Sequence, residues 1–342
     1  MDKSLDLFCS ILSRETGLSF PPSRYAFVMN HLAPLLEKYD SPNPSDLILK
    51  SKQDLKLRID IINTLTTNET WFFRHPKHFE ILRKDILPVL IKKYNKKEIN
   101  IWSAGCSIGA ELYSILITIK ESIPESENIR INILGSDISY NAIKTAKTGV
   151  YDNYVFKETK QEILDKYFIK LNDNHYKIKE ELKQDVTFEY LNLLETWPPR
   201  TFDIIFCRNT MIYFNKENKQ KLTKKFFKSL ELNGYFFTSA NELVDLTDQN
   251  YGINKLFIRD EYIYQKINSV AKTSNLYFKT PTDLLRATNL LQKNSYRFQF
   301  GLDEKHNKKV RYIIVSSSDC DRIIKFLVFN SIQPSITPFI YR

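Results

Sequence analysis

Glycine is scarce in this chain, with eight residues among 342. That excludes glycine-repeat and glycine-rich low-complexity architectures, and it gives weight to any glycine standing at a strand–helix junction. Cysteine is scarcer still, and the four residues (Cys9, Cys106, Cys207, Cys320) stand singly. Without a CxxC pair or clustered histidines, a disulfide framework or a structural zinc site is not expected, and the thiols are read as reduced. No apolar run approaches the roughly 18 to 20 residues that cross a bilayer. Met1 opens onto Asp2, Lys3 and Ser4 rather than onto a basic and then apolar leader, so the expectation is a cytoplasmic protein, not inserted in a membrane. What is present, 42% hydrophobic and 26% charged residues, is enough for a large core and a wet surface, which rules out disorder.

The net charge of +10 invites a nucleic-acid reading, but its distribution argues against one. From Asn268 to Arg342 there are twelve Lys/Arg against five Asp/Glu, so +7 of the excess sits in the tail. A domain that follows a phosphate backbone carries its own basic face, and the main body does not.

Four regions are legible. Residues 1–80 read as a small helical domain, with apolar residues at three and four spacing in Leu5, Phe8, Ile11 and Leu12 and again in Ile59, Ile61, Ile62 and Leu65. Its second helix is expected to start with Ser23 as N-cap and to be kinked or ended by Pro34. Residues 81–267 alternate β-rich and helical runs, the pattern of an α/β parallel sheet covered by helices. Strands are expected at 99–103, 129–134, 187–191, 202–207 and 235–239, closed by an antiparallel pair at 256–258 and 262–265. Residues 151–185 break that order with a hairpin about Asn172-Asp173-Asn174, read as a small inserted β-subdomain. Residues 268–342 form a basic extension that begins with a polar linker, 268–275.

The strongest local signal is the strand–loop–helix run at 101–114, where Gly105 and Gly109 let backbone approach a ligand and a helix N-terminus offers free N–H groups. It lacks the three-glycine spacing of a pyrophosphate loop and the Lys-Ser/Thr of a P-loop, so a nucleoside ligand fits better than a dinucleotide or triphosphate. Asp137 ends the second strand, where an acid can accept from both ribose hydroxyls or simply cap the next helix. The strand at 202–207 ends in Arg208-Asn209 and runs into an expected helix carrying Tyr213, with Asn209 and Tyr213 candidates to line a crevice at the strand ends and ordinary helix packing the competing reading for Tyr213. Pro198-Pro199 precedes that strand instead of following it, so it is not the loop with which amino-methylating enzymes hold a base nitrogen. At 68–76, NETWFFRHP sets three aromatics beside Arg74 at the domain junction, where plain packing is the competing reading.

Taken together these segments resemble the chemotaxis glutamate methyltransferases of the CheR type. NETWFFR, AGCSIGAELYS, SDI, Asn192-Leu193-Leu194, FCRN followed by IYF, and NGYFF occur in that family's order over residues 5–267. The resemblance implies a Rossmann-like class I methyltransferase sheet with an all-α N-terminal domain and S-adenosyl-L-methionine as cofactor. It implies a transfer of methyl groups to glutamate carboxylates on the cytoplasmic helical region of methyl-accepting chemotaxis receptors. By it, Arg74 and Tyr213 are the substrate-side pair. Asn68, Thr70, Arg74, Gly105, Gly109, Glu111, Asp137, Asn192, Leu193, Arg208 and Asn209 hold the cofactor, with Glu111 toward its methionine end and Asp137 on the ribose; Thr67 stands nearby. A monomer is expected. Three departures stand out: Ala110 replaces one of two acids after the glycine loop, His75 follows the arginine, and Ser239-Ala240-Asn241-Glu242 replaces Gly-His-Ser-Glu. Basic residues on the second helix are reduced to Arg24, His31 and Lys38, so altered receptor docking is expected, and the tight 172–174 turn implies no grip on a receptor's C-terminal pentapeptide. The tail segment 308–327 has the outline that opens a receiver domain, with Ser316 and Ser317 where acids would stand, too little to bury a core of its own. Another methyl acceptor (RNA or a small molecule), or a non-catalytic cofactor-binding scaffold, stays open at this level.

Overall fold

The computed structural model describes residues 3–124, 128–195, 197, 199–239, 242, 252–267, 273–277, 281–293, 299–305, 308–316, 323, 327 and 335–337. Contacts divide the chain into one unit of residues 1–246 and 254–266 and a second of residues 247–253 and 267–342.

The first unit opens with four helices: α1 (Lys3–Thr16), α2 (Tyr25–Lys38), α3 (Pro44–Lys50) and α4 (Leu55–Leu65). Two carry sequence-coded starts. The Asn43 side chain accepts the Asp46 N–H with Pro44 at the first helical position, and the Asp54 side chain accepts the Leu57 N–H. The apolar stripes meet in one core in which Phe8, Val28, Leu32 and Leu47 are fully buried, each worth about 1.5–3 kcal/mol relative to exposure. Two expectations are corrected here. Ser23 is not an N-cap: residues 22–24 form a single 3-10 turn, and α2 starts after Arg24 without a side-chain cap. Nor does Pro34 end α2, which continues to Lys38 because burial of Val28, Leu32 and Leu35 along one face outweighs the one N–H that proline removes. This core ends at Leu65. Phe72, Phe79 and Ile81 belong to the core of the sheet that follows, and Phe72 stacks on Phe156 with ring centroids 4.8 Å apart.

The sheet is built from β1 (Glu98–Ala104), β2 (Arg130–Asp137), β6 (Val186–Tyr190), β7 (Phe202–Cys207) and β8 (Leu230–Thr238), with β9 (Ile253–Ile258) and β10 (Glu261–Lys266). Its order is β6-β2-β1-β7-β8-β10-β9, parallel through β8 and antiparallel where β10 meets β8. Helices α5 (Pro76–Ile81), α6 (Ala110–Lys120), α7 (Tyr140–Thr148) and α9 (Lys216–Ser229) accompany it. From β1 the chain first steps outward to β2 and β6, then returns to β7 on the other side. A switch between β1 and β7 opens a crevice at the carboxyl ends of the strands. The inserted subdomain is a three-stranded antiparallel sheet in which β5 (His175–Ile178) lies between β3 (Val150–Asp152) and β4 (Phe168–Lys170), with α8 (Gln161–Tyr167) before β4.

The tail corrects its expectation. Segment β13 (Lys308–Ser316) is a strand, but among the described residues every pairing it makes is antiparallel, with β11 (Thr273–Tyr277) and β12 (Gln299–Lys305); β14 (Ser335–Thr337) joins them in a four-stranded sheet. A receiver domain opens on a parallel sheet, so this is a different architecture. It has its own core of Leu276, Ala287, Leu291, Ile313, Ile323 and Leu327, two of them from helix α10 (Pro281–Lys293). Residues 273–275, read as linker, are part of β11; residues 268–272, Ser317 and Cys320 lie outside the described residues.

Candidate active site

Where the strand ends and the helical layer meet, a cleft is lined by Asn68, Thr70, Arg74, Gly105, Glu111, Asp137, Asn192, Leu193, Arg208, Asn209 and Tyr213, with Thr67 among them. Twelve of the thirteen candidates from sequence therefore share one cavity. Gly109 is the exception. Its left-handed φ of +85° starts α6, and an added Cβ would lie 2.9 Å from the Ala146 Cβ, so it serves packing at the helix start. Gly105 (φ +81°) is the ligand-side glycine: an added Cβ would fall 2.2 Å from Thr210 Oγ1.

The acids of the cleft are buried and partly committed. Asp137 Oδ2 accepts the Ser107 N–H and Oδ1 the Ser139 N–H, both at 2.8 Å. Burial pushes its carboxyl up, and those N–H groups pull it back. A carboxylate has about four lone-pair sites, so two are left for a diol. Glu111 accepts from Ser103 Oγ at 2.8 Å and pairs with Arg208 Nη1 at 3.1 Å. Burial raises its carboxyl as well, the Arg208 charge opposing. Arg208 in turn donates from Nη2 to the Arg74 backbone oxygen at 2.6 Å. The Asn192 side chain bridges Glu15 O and the Leu194 N–H.

Arg74 is held differently. Its Nη1 donates to Glu69 O at 2.9 Å, and its guanidinium lies 4.3 Å from the centre of the Trp71 ring. It pairs with no carboxylate among the described residues, and Nε of both Arg74 and Arg208 is buried without a protein partner. Tyr213 closes a 3-10 turn, Met211–Tyr213, rather than sitting in the expected helix. Its ring lies 5.8 Å from the Arg24 guanidinium. Sequence reasoning missed Phe20, Arg24 and Glu69 as cleft residues. Arg24 is expected from sequence on the docking face of the second helix, but it stands in the 3-10 turn before α2 and lines the cleft. Lys38 is likewise bound to Asp60 at 2.7 Å, and His31 stacks on Phe27 and contacts its carbonyl.

His78 lies behind Arg208 with its side chain 4% exposed and Nε2 3.5 Å from Glu261. Burial and the Arg208 charge push its pKa down to about 3. The native state thus refuses a proton that the unfolded chain takes up near pH 6.5, and stability is lost as pH falls through that window, by about 1.4 kcal/mol per pH unit. His78→Gln is expected to flatten the fall of the urea midpoint between about pH 6 and pH 4; parallel curves for parent and variant would refute this.

The cleft fits an S-adenosyl group: a glycine turn with no room for a side chain, a buried acid with free lone pairs at the next strand end, and buried guanidinium N–H donors beside a second acid. Fold and cleft define the class, a Rossmann-like class I methyltransferase. Residues 68–257 match the family described as CheR methyltransferase, SAM binding domain. The chain is 33% identical over 249 residues to a chemotaxis protein methyltransferase of Borreliella burgdorferi, covering 70% of this chain and 88% of that one. It is 34% identical over 249 residues to one of Vibrio parahaemolyticus (71% and 90% covered). It is 31% identical over 254 residues to chemotaxis protein methyltransferase 1 of Pseudomonas aeruginosa (72% and 92%). The chain belongs to the CheR methyltransferase family and is an S-adenosylmethionine-dependent methyltransferase of chemotaxis. Among the described residues no helix is long and apolar enough to cross a membrane, and no group of three His, Cys, Asp or Glu could hold a metal ion.

Proposed function

We propose that this enzyme esterifies glutamate carboxylates on the cytoplasmic helical region of methyl-accepting chemotaxis receptors, itself working in the cytoplasm. The observation that carries the reading is Arg74, a guanidinium facing the cleft with no carboxylate partner among the described residues. When bound, the cofactor supplies a methyl group already activated on a sulfonium. A glutamate carboxylate is ionised at neutral pH, its unperturbed pKa being about 4.3, so the protein need furnish no general base. What remains for its residues is positioning. Arg74 pairs with the incoming carboxylate and strips its water, while the Tyr213 hydroxyl fixes its rotation. Asp137 takes the ribose, Glu111 with Arg208 flanks the methionine end, and Asn68, Thr70, Asn192, Leu193 and Asn209 complete the wall. With Arg24 stacked on Tyr213 and Lys38 bound to Asp60, receptor docking through α2 rests on fewer free cations than the sequence alone offers.

The reading is tested by transfer of labelled methyl groups from S-adenosylmethionine to membranes carrying the organism's own receptors, followed by mild alkali. Alkali-labile label on receptor bands is expected, because glutamyl esters hydrolyse where N-methyl groups survive. Alkali-stable label, or none despite measured cofactor binding, would overturn it.

A further inference from the structure

One buried carboxylate takes no part in the chemistry described above. Glu242 is fully buried, follows β8, and is not among the residues that line the cleft. Its oxygens are turned to backbone N–H groups some thirty residues upstream. Oε2 accepts from the Asn209 N–H at 2.8 Å, the Ser239 N–H at 3.0 Å and Thr238 Oγ1 at 3.4 Å. Oε1 accepts from the Ile212 N–H at 3.4 Å. The segment so gripped is the loop after β7, which gives the cleft Arg208, Asn209, Thr210, Ile212 and Tyr213.

That loop needs an external clamp. Asn209 holds a left-handed φ of +55°, a conformation that asparagine tolerates better than other non-glycine residues but that still leaves its N–H in need of an acceptor outside the loop. The segment from Thr210 to Tyr213 is too short to be stable by its own hydrogen bonds. An acceptor reaching both Asn209 and Ile212 fixes the loop at two points, three residues apart.

We propose that Glu242 is a positioning residue for methyl transfer: by accepting the Asn209 and Ile212 N–H groups it sets the Arg208–Tyr213 loop and so the place of the Tyr213 hydroxyl. This rests on the reading of Tyr213 as a substrate-side residue, and it assigns the work to hydrogen-bond geometry rather than to negative charge. Glutamine in its place keeps one carbonyl oxygen. Turned toward Asn209, that oxygen retains the Oε2 contacts, while the Nε2 group meets the Ile212 N–H as a second donor, so the anchor at Asn209 is kept and the long one at Ile212 is lost.

The test compares Glu242→Ala, Glu242→Gln and Tyr213→Phe in steady-state transfer to receptor membranes, each checked by thermal unfolding so that the assay runs well below the midpoint. Glu242→Ala is expected to lose at least about 30-fold in kcat, more than its loss in S-adenosylhomocysteine affinity measured by calorimetry, while Glu242→Gln, which keeps the anchor at Asn209, falls between Ala and the parent. Parental kcat in a folded Glu242→Ala would reduce the residue to a structural role. Equal impairment by Ala and Gln would mean that holding the Asn209 N–H does not place the loop; either result overturns the proposal. Should Glu242→Ala not fold, Glu242→Asp, one methylene too short to reach both N–H groups, takes its place with the same outcomes. A fully active Tyr213→Phe would instead overturn the reading of the loop on which the proposal stands.

Discussion

Arg74→Ala is expected to lower methyl transfer by about 10²- to 10³-fold, the usual cost of removing one preorganised charge-bearing donor from a reacting centre, while S-adenosylhomocysteine binds within a few-fold of the parent. The separation of effects follows from how the segment is built. The Phe72 N–H donates to Val155 O at 2.9 Å, the Phe73 N–H to Ser114 Oγ at 2.9 Å, and Arg208 holds the Arg74 carbonyl. The main chain at 72–74 is therefore anchored independently of the guanidinium. Its truncation frees only Glu69 O, on the exposed Glu69, and one face of Trp71. Arg74→Lys keeps the charge but not the planar fork, and an intermediate loss is expected. Single-turnover transfer combined with calorimetry decides the matter. A variant with parental turnover would remove Arg74 from the chemistry, and one that no longer binds S-adenosylhomocysteine would move it to the cofactor's side.

Much of this site was legible because its physics is local. Gly105 can be read from sequence because a left-handed residue pressed against another loop must be glycine, in a chain with only eight. Asp137 can be read because it ends an apolar strand whose neighbour carries that turn. Strand β7 was bounded to the residue, Phe202–Cys207, since all six side chains are buried and the polar pair Arg208-Asn209 follows. Strand β8 was read from Tyr235 but begins at Leu230: Glu231, Asn233 and Gly234 look like a turn, and the pairing with β7 shifts register between Phe202 and Ile204. Glu242 was noted only as part of an altered run, because its partners are backbone groups at 209 and 212 and no side-chain pattern encodes them. The tail misled for a related reason. Strand β12 is Gln299–Lys305, with glycine and three charges in seven residues, and only its full-length pairing with β13 makes it a strand. Ala240 and Asn241 beside Glu242, two of the departures from the family's pattern, lie outside the described residues, whereas Ala110 is fully buried at the start of α6, where a second acid would have no water.

The second large effect concerns stability and has a distinctive pH signature. Arg208→Met is expected to cost about 3–5 kcal/mol, because it leaves Glu111 buried with Ser103 Oγ as its remaining hydrogen-bond partner among the described residues and removes the cap on the Arg74 carbonyl. For a domain of this size that is a fall in melting temperature on the order of 10 °C. Removing both charges, Arg208→Met with Glu111→Gln, is expected to recover most of the loss, since the penalty lies in the stranded charge and not in the missing pair. The cofactor site stays damaged in the double variant, so stability and activity separate. The pH dependence of the single variant follows from linkage. Burial already holds the Glu111 carboxyl above its ordinary value, with the Arg208 charge opposing, so loss of that charge raises it further. Between the unfolded value of about 4.3 and the raised native value the folded chain keeps a proton that the unfolded chain has released, and stability therefore falls as pH rises through that window. The deficit of Arg208→Met relative to the parent should be small near pH 4.5 and grow toward neutrality, where a buried ionic pair would otherwise be intact. A deficit independent of pH, or a double variant no more stable than the single one, would show that Arg208 stabilises the fold through packing and its contact with the Arg74 carbonyl, with Glu111 uninvolved.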